Sequence, residues 1–153
     1  MNKHKIFLDI AENISKMSHC ISHKVGCILV KGGRVISTGY NGTASGFPNC
    51  DDINSNLNIN IPEDRNIHHN FSNMFEIHAE INAILCAAKN GISIQDSILY
   101  CTLHPCYDCL KMICNSGIKT IIYRNKYDKF NMSTEIEKML KLCNVQLIHE
   151  NDL

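Results

Sequence analysis

Net charge is the first thing this sequence lacks: 15 lysines and arginines are matched by 15 aspartates and glutamates across 153 residues. The strong positive field that non-specific binding to a polyanion requires is therefore missing, so a small substrate suits the chain better than a stable nucleic-acid partner. Also missing is any apolar run long enough to span a bilayer, which argues against a membrane role. The opening segment MNKHKIFLDIAENISKM scatters charges among its apolar residues and so lacks the uninterrupted hydrophobic region of an export signal. Nine cysteines without such a signal, and odd in number, read as thiols and metal ligands and not as a disulfide framework. The expected compartment is the cytosol. With no internal repeat and a 44% hydrophobic fraction, one domain is expected over residues 1–153.

Periodicity supplies the elements. Ile6, Phe7, Ile10, Ile14 and Met17 recur at helical spacing and predict a helix over 5–17. GCILVK and RVISTGY, separated by Gly32 and Gly33, predict a hairpin. From about 42 to 75 the chain turns to Asn, Asp, Ser, Gly and Pro with no clear period, and reads as a long polar loop insertion. A second helix is expected from His78 through Ile81, Ile84, Leu85 and Ala88 to a stop at Asn90 and Gly91. Then come a strand in SILYCT, a helix from Cys106 to about Ser116, a strand in KTIIY, a helix over 134–142 and a strand in VQLIH. Strands alternating with helices imply parallel crossovers, so the expected fold is a three-layer α/β/α sandwich around a mixed five-stranded sheet.

Two strings carry chemistry: HAE at residues 78–80 and PCYDC at residues 105–109. His78, Cys106 and Cys109 form a trio of the kind that binds a catalytic Zn2+, because a fourth protein ligand would leave no position for water. His78 and Cys106 each fall where a helix is expected to begin, so two positive helix ends would face the metal and favour thiolates. Pro105 suits the start of that second helix. Glu80 is then best cast as a general acid and base that does not ligate the metal but stands beside the zinc-bound water. The alternative is a structural zinc knot, but a closed knot normally has four protein ligands. The HxE and PCxxC pair is the established signature of zinc deaminases of nucleobases.

TGYNG (38–42), HAEINAIL (78–85), TLHPCYDC (102–109), SGIKTIIY (116–123) and the Tyr127 and Asp128 pair together resemble the deoxycytidylate deaminases, phage members above all. That resemblance covers most of the chain and implies zinc-dependent hydrolysis of dCMP to dUMP and ammonia, which supplies dUMP for thymidylate synthesis. It implies that Asn41 contacts the sugar and phosphate region, that the Ala79 N–H meets the base carbonyl, and that Tyr127 lies near the phosphate. Ser22 and Lys24 are further phosphate candidates, and Thr102 a further substrate contact. The plainer readings are a turn-capping Asn41 and a half-buried core Tyr127.

The phage-type resemblance also implies a second, structural zinc on Cys20, Cys50, His68 and Glu76, which would pin the polar insertion. It implies a homo-oligomer, a hexamer, activated by dCTP and inhibited by dTTP with Mg2+, with nucleotide contacts in the turn 41–46. If the gene is a phage's, the compartment is the host cytosol. Cys27, Cys86, Cys101, Cys114 and Cys143 are expected to be small buried thiols. His104 departs from the Ser that phage relatives carry before PCxxC; a packed histidine is the commoner role at such a site. Two other functions stay open: deamination of free cytidine, deoxycytidine or a polynucleotide base, and a non-catalytic zinc-stabilised binding module.

Overall fold

The computed structural model describes residues 2–128 and 131–153. Helix α1 (Lys3–Ser15) starts at Asn2, whose side chain accepts from the His4 N–H, and it buries Leu8 and Ala11. Strands β1 (Gly26–Lys31) and β2 (Arg34–Tyr40) form the expected antiparallel hairpin. Gly32 and Gly33 turn it at φ +57° and +74°, which only glycine adopts freely. Next come β3 (Gly42–Thr43), α2 (Cys50–Asn54), α3 (Pro62–Phe75) and β4 (Glu76–Ile77). The remainder runs α4 (Ala79–Lys89), β5 (Ile98–Leu103), α5 (Tyr107–Cys114), β6 (Thr120–Asn125), α6 (Thr134–Leu142) and β7 (Gln146–His149), with a short 3-10 turn at Glu150–Asp152.

The main sheet has the order β2-β1-β5-β6-β7. β1 pairs antiparallel with β2 and β5, whereas β5, β6 and β7 run parallel, so the sheet is mixed as expected. Alternation along each strand sends residues to opposite faces. Cys27, Leu29, Leu99, Cys101 and Ile121 face one core with α4, α5 and α6. Ile28, Val30, Tyr100 and Ile122 face the other, beneath Leu8 and Ala11 of α1. The result is the three-layer sandwich.

The polar insertion is where expectation and structure part. It is not a loop: α2 and α3 occupy much of it, and β3 pairs with β4 across it. The helical period was hidden because α3 buries a histidine, His68, while Ile67 and Met74 stand exposed. A polar buried face has no apolar stripe to read. Its N-terminal signals, Pro62 followed by Glu63 and Asp64, were nevertheless present. Smaller differences concern ends. α5 begins at Tyr107 with Cys106 as its N-cap, so Pro105 lies one residue outside the helix and not at its first position.

Two glycines set how closely helices approach the sheet. A Cβ on Gly26 would lie 2.2 Å from the Ala11 carbonyl oxygen of α1. One on Gly39 would lie 2.3 Å from both the Ala79 oxygen and the Ala83 nitrogen of α4. Absence of a side chain at Gly39 therefore fixes where the first turn of α4 rests.

Candidate active site

His78 is the N-cap of α4 and Cys106 the N-cap of α5, both in extended conformation. A residue in that conformation is free of the helical azimuth, so His78 and Glu80 can line the same cavity although they are two apart in sequence. His78 Nδ1 lies 3.4 Å from Cys106 Sγ and 3.5 Å from Cys109 Sγ. Zinc bonds of about 2.0–2.1 Å to nitrogen and 2.3 Å to sulfur at tetrahedral angles put such pairs about 3.5 Å apart. Both His–Cys pairs thus already have the spacing that one zinc ion requires, and all three donor atoms lie within 4.8 Å of one another.

Protonation within the trio agrees with that fit. A hydrogen bond from Cys109 pulls the Cys106 thiol down to about 4, against the opposing effect of burial. The same bond pushes Cys109 up, and burial adds to it. Its hydrogen bond with Cys106 raises His78 to about 9. A divalent ion that seats on this trio takes the place of the thiol protons.

Glu80 lies in the first turn of α4 and is only 4% exposed. Burial raises its carboxyl above the usual range, as suits a group that must both take up and release a proton. Beneath it Cys27 and Cys101 face each other across β1 and β5. Their sulfurs are 2.7 Å apart. Two thiolates on one zinc stand about 3.8 Å apart, a spacing this pair does not have.

His78, Cys106 and Glu80 line a cavity of about 480 Å³, with Cys109 buried behind them, inside the usual range of about 300–1,000 Å³ for small-molecule sites. Asn41, Ala79, Ser22, Tyr127 and His104 also line it. The Asn41 side chain staples the neighbouring loop, its Oδ1 accepting from the Val25 N–H at 2.8 Å and its Nδ2 donating to the His23 carbonyl at 2.7 Å. Each of those atoms keeps a second hydrogen-bonding position. His104 is 8% exposed and packs edge-on against Tyr123. Its Nδ1 is 2.8 Å from the Pro105 carbonyl, to which an Nδ1–H donates.

Two expected contacts are not brought to the cavity. Lys24 is exposed and outside its lining. Thr102 is buried within β5, where its hydroxyl oxygen accepts from the Gly26 N–H at 3.1 Å. Conversely, Arg65, His23 and Asn60 line the cavity and no motif signalled them, because the segment holding two of them read as loop.

Beside the cavity a second cluster gathers Cys20, Cys50, His68 and Glu76. Cys20 Sγ lies 3.6 Å from His68 Nε2 and 3.5 Å from Glu76 Oε2, and the last two atoms are 4.0 Å apart. The Glu76 side chain is 2% exposed, and its Oε1 is buried without a hydrogen-bond partner. An ionised carboxylate so enclosed is costly unless a cation compensates it, so this donor set fits a closed four-ligand metal site. His19 and His69 stay outside: one pairs with Asp51 at 2.9 Å, the other sits 3.1 Å from Asn73. Of the five remaining cysteines, Cys27 and Cys101 are buried as expected, Cys114 and Cys143 are half-buried, and Cys86 is exposed on α4.

The family model for the cytidine and deoxycytidylate deaminase zinc-binding region matches residues 1–125. This chain belongs to that deaminase family. The deoxycytidylate deaminase of Enterobacteria phage T2 is 41% identical, over 80% of this chain and 79% of that protein. That of Enterobacteria phage T4 is 42% identical, over 80% and 77%. The dCMP deaminase from the cyanophage S-TIM5, in complex with dCMP and dUMP, shares the fold at a TM-score of 0.72 and 36% identity, over 95% of this chain and 94% of that one. Within a zinc-binding deaminase family, three soft donors beside a buried glutamate constitute the candidate catalytic centre.

Proposed function

We propose that this deaminase hydrolyses dCMP to dUMP and ammonia, with Zn2+ held by His78, Cys106 and Cys109 and with Glu80 as the proton carrier. The observation that supports this reading is the buried Glu80 carboxyl lining the same cavity as His78 and Cys106, two members of a three-donor His and Cys cluster. The phage deoxycytidylate deaminases and the dCMP- and dUMP-bound structural relative support the choice of substrate.

A zinc ion on that trio supplies Lewis-acid activation of water near neutral pH. Glu80 removes a proton from the attacking water and delivers it to the ring nitrogen beside the amino-bearing carbon. It then carries the second proton to the exocyclic nitrogen, which leaves as ammonia, while the water oxygen becomes the new carbonyl. The Ala79 N–H, in the first turn of α4, meets the base carbonyl. Asn41 holds the sugar with its unused hydrogen-bonding positions, and Ser22 and Tyr127 serve the phosphate end.

Glu80→Gln tests this reading directly. The variant keeps its zinc and loses at least about a hundredfold in ammonia release from dCMP, the usual scale of general acid–base catalysis. Unchanged behaviour would make the protein a zinc-stabilised binding module. Parallel assays on cytidine, deoxycytidine, dCMP and single-stranded DNA decide the substrate, and preference for either nucleoside or for DNA would overturn dCMP.

The same reading extends to a second, structural zinc on Cys20, Cys50, His68 and Glu76, and to one cytosolic domain that assembles as a homohexamer. It also extends to activation by dCTP and inhibition by dTTP with Mg2+ through the turn 41–46. Light scattering reads the assembly, and assays with added triphosphates read the regulation. A monomer, or rates indifferent to triphosphates, would remove the corresponding part.

A further inference from the structure

Arg65 is one of three arginines in the chain, and it belongs to no motif. Arg124 is engaged by Asp9 and Glu150 at 2.7 and 2.9 Å, whereas Arg65 lines the cavity that holds Glu80. It lies in the second turn of α3, exposed at the rim, while Glu80 is enclosed at the floor. Residues 65, 68, 69 and 72 stand at helical intervals of three, four and seven, and all four line the cavity. α3 therefore turns one face inward, and His68 of the second donor cluster sits one turn beyond Arg65 on that face.

The charge pattern gives this position its meaning. The lining carboxylates are Glu76 and Glu80, and Arg65 is the one permanently charged cation among the described lining residues. An anion entering the cavity therefore meets its fixed positive charge at this rim. The guanidinium is also aimed: its Nε donates to the Ile59 carbonyl at 2.9 Å, which fixes the plane of the fork. Its two terminal nitrogens have no acceptor among the described residues. An arginine anchored through Nε with both ends open matches the bidentate geometry by which phosphate oxygens are bound.

We propose that Arg65 is the specificity residue that receives the 5′-phosphate of the substrate. The polar insertion thereby makes a nucleoside deaminase site into a nucleotide one. This rests on the dCMP reading above and deepens it. The base then points inward to Glu80 and the phosphate outward to α3. The donor cluster around His68 acts on substrate choice only by holding α3 at this azimuth.

The test compares binding of the product pair dUMP and deoxyuridine to the zinc-loaded wild type, Arg65→Gln and Arg65→Lys. Arg65→Gln is expected to weaken dUMP roughly ten- to hundredfold, the scale of charge-assisted hydrogen bonds, and to weaken deoxyuridine less than about threefold. Arg65→Lys, which keeps the charge without the fork, falls between. In assays the preference of kcat/KM for dCMP over deoxycytidine narrows in the same order. Equal loss on both ligands would make Arg65 a structural prop of the 59–61 turn, and undiminished dUMP binding in Arg65→Gln would remove it from recognition; either result overturns the proposal. Wild-type protein that does not turn over dCMP at all would instead overturn the function on which it rests.

Discussion

Tyr100 shows how a single enclosed side chain imposes a pH limit. It is 1% exposed on the α1 side of the sheet, with its hydroxyl 2.8 Å from His4 Nδ1, and burial pushes the phenol up to about 12. A phenol in the unfolded chain ionises near pH 10. Below that value both states keep the proton and Tyr100 contributes no pH dependence. Between pH 10 and 12 only the unfolded chain loses it, so folding weakens by about 1.4 kcal/mol per pH unit, or roughly 2–3 kcal/mol in all. Tyr100→Phe removes this part of the alkaline loss, at the cost of about 1 kcal/mol near pH 8 from the lost hydrogen bond. Urea denaturation of both proteins at pH 8 and pH 11 checks it, and parallel pH profiles would refute it.

The same scale explains which site residues could be read in advance. His78, Glu80, Cys106 and Cys109 were legible because metal chemistry demands particular residue types at short spacing. Asn41 was legible as a turn residue, but its two bonds to the 23–25 loop needed coordinates. Lys24 was a weaker phosphate candidate, and its exposed position outside the cavity lining could not be read from the sequence. Arg65 left no mark in the sequence, since its role depends on the face that α3 presents.

At the scale of elements, α4 is the part that must be seated correctly, because it carries Ala79 and Glu80 and begins at His78. Three contacts hold it. The Gly39 backbone lies directly against residues 79 and 83, the Ser37 hydroxyl donates to the Ala83 carbonyl at 2.7 Å, and Asn82 Nδ2 donates to the Tyr40 carbonyl at 2.8 Å. Gly39→Ala inserts a methyl where backbone already stands and lifts α4 from β2. The expected cost is about 3 kcal/mol, the upper end for overpacking, with turnover falling further than stability explains. Gly33→Ala is the control. That site is open and only its φ of +74° resists, so the cost is about 1 kcal/mol with activity kept. Equilibrium unfolding of the pair, alongside turnover, distinguishes a packing constraint from a conformational one.

The five strands of the main sheet and the helices α1, α4, α5 and α6 were legible because their buried faces are apolar and periodic, whereas the short β3 and β4 pair was not. α2 and α3 were not. One is five residues long, and the other turns a histidine inward where a leucine would be usual. An element whose inward face is polar leaves no stripe for hydrophobic periodicity to record.

For the whole molecule, the second donor cluster joins four separate stretches: the chain after α1 at Cys20, α2 at Cys50, α3 at His68 and β4 at Glu76. Cys50→Ser removes one ligand. The expected outcome is a fall from about two zinc ions per chain to about one, with a lower melting temperature and easier cleavage within 50–75. Metal analysis with limited proteolysis reads both, and a wild-type content near one ion would refute the second site. Arg124 makes a comparable tie without metal, since one guanidinium on β6 reaches Asp9 of α1 and Glu150 after β7.

Glu76 and His78 stand on either side of Ile77, one belonging to each donor cluster. Two residues of extended backbone span only about 7 Å and have no slack. Any descendant that discarded the insertion would lose the outer anchor of this short bridge and would need a new brace for its imidazole. A displacement of Glu76 is therefore passed to His78 with little attenuation.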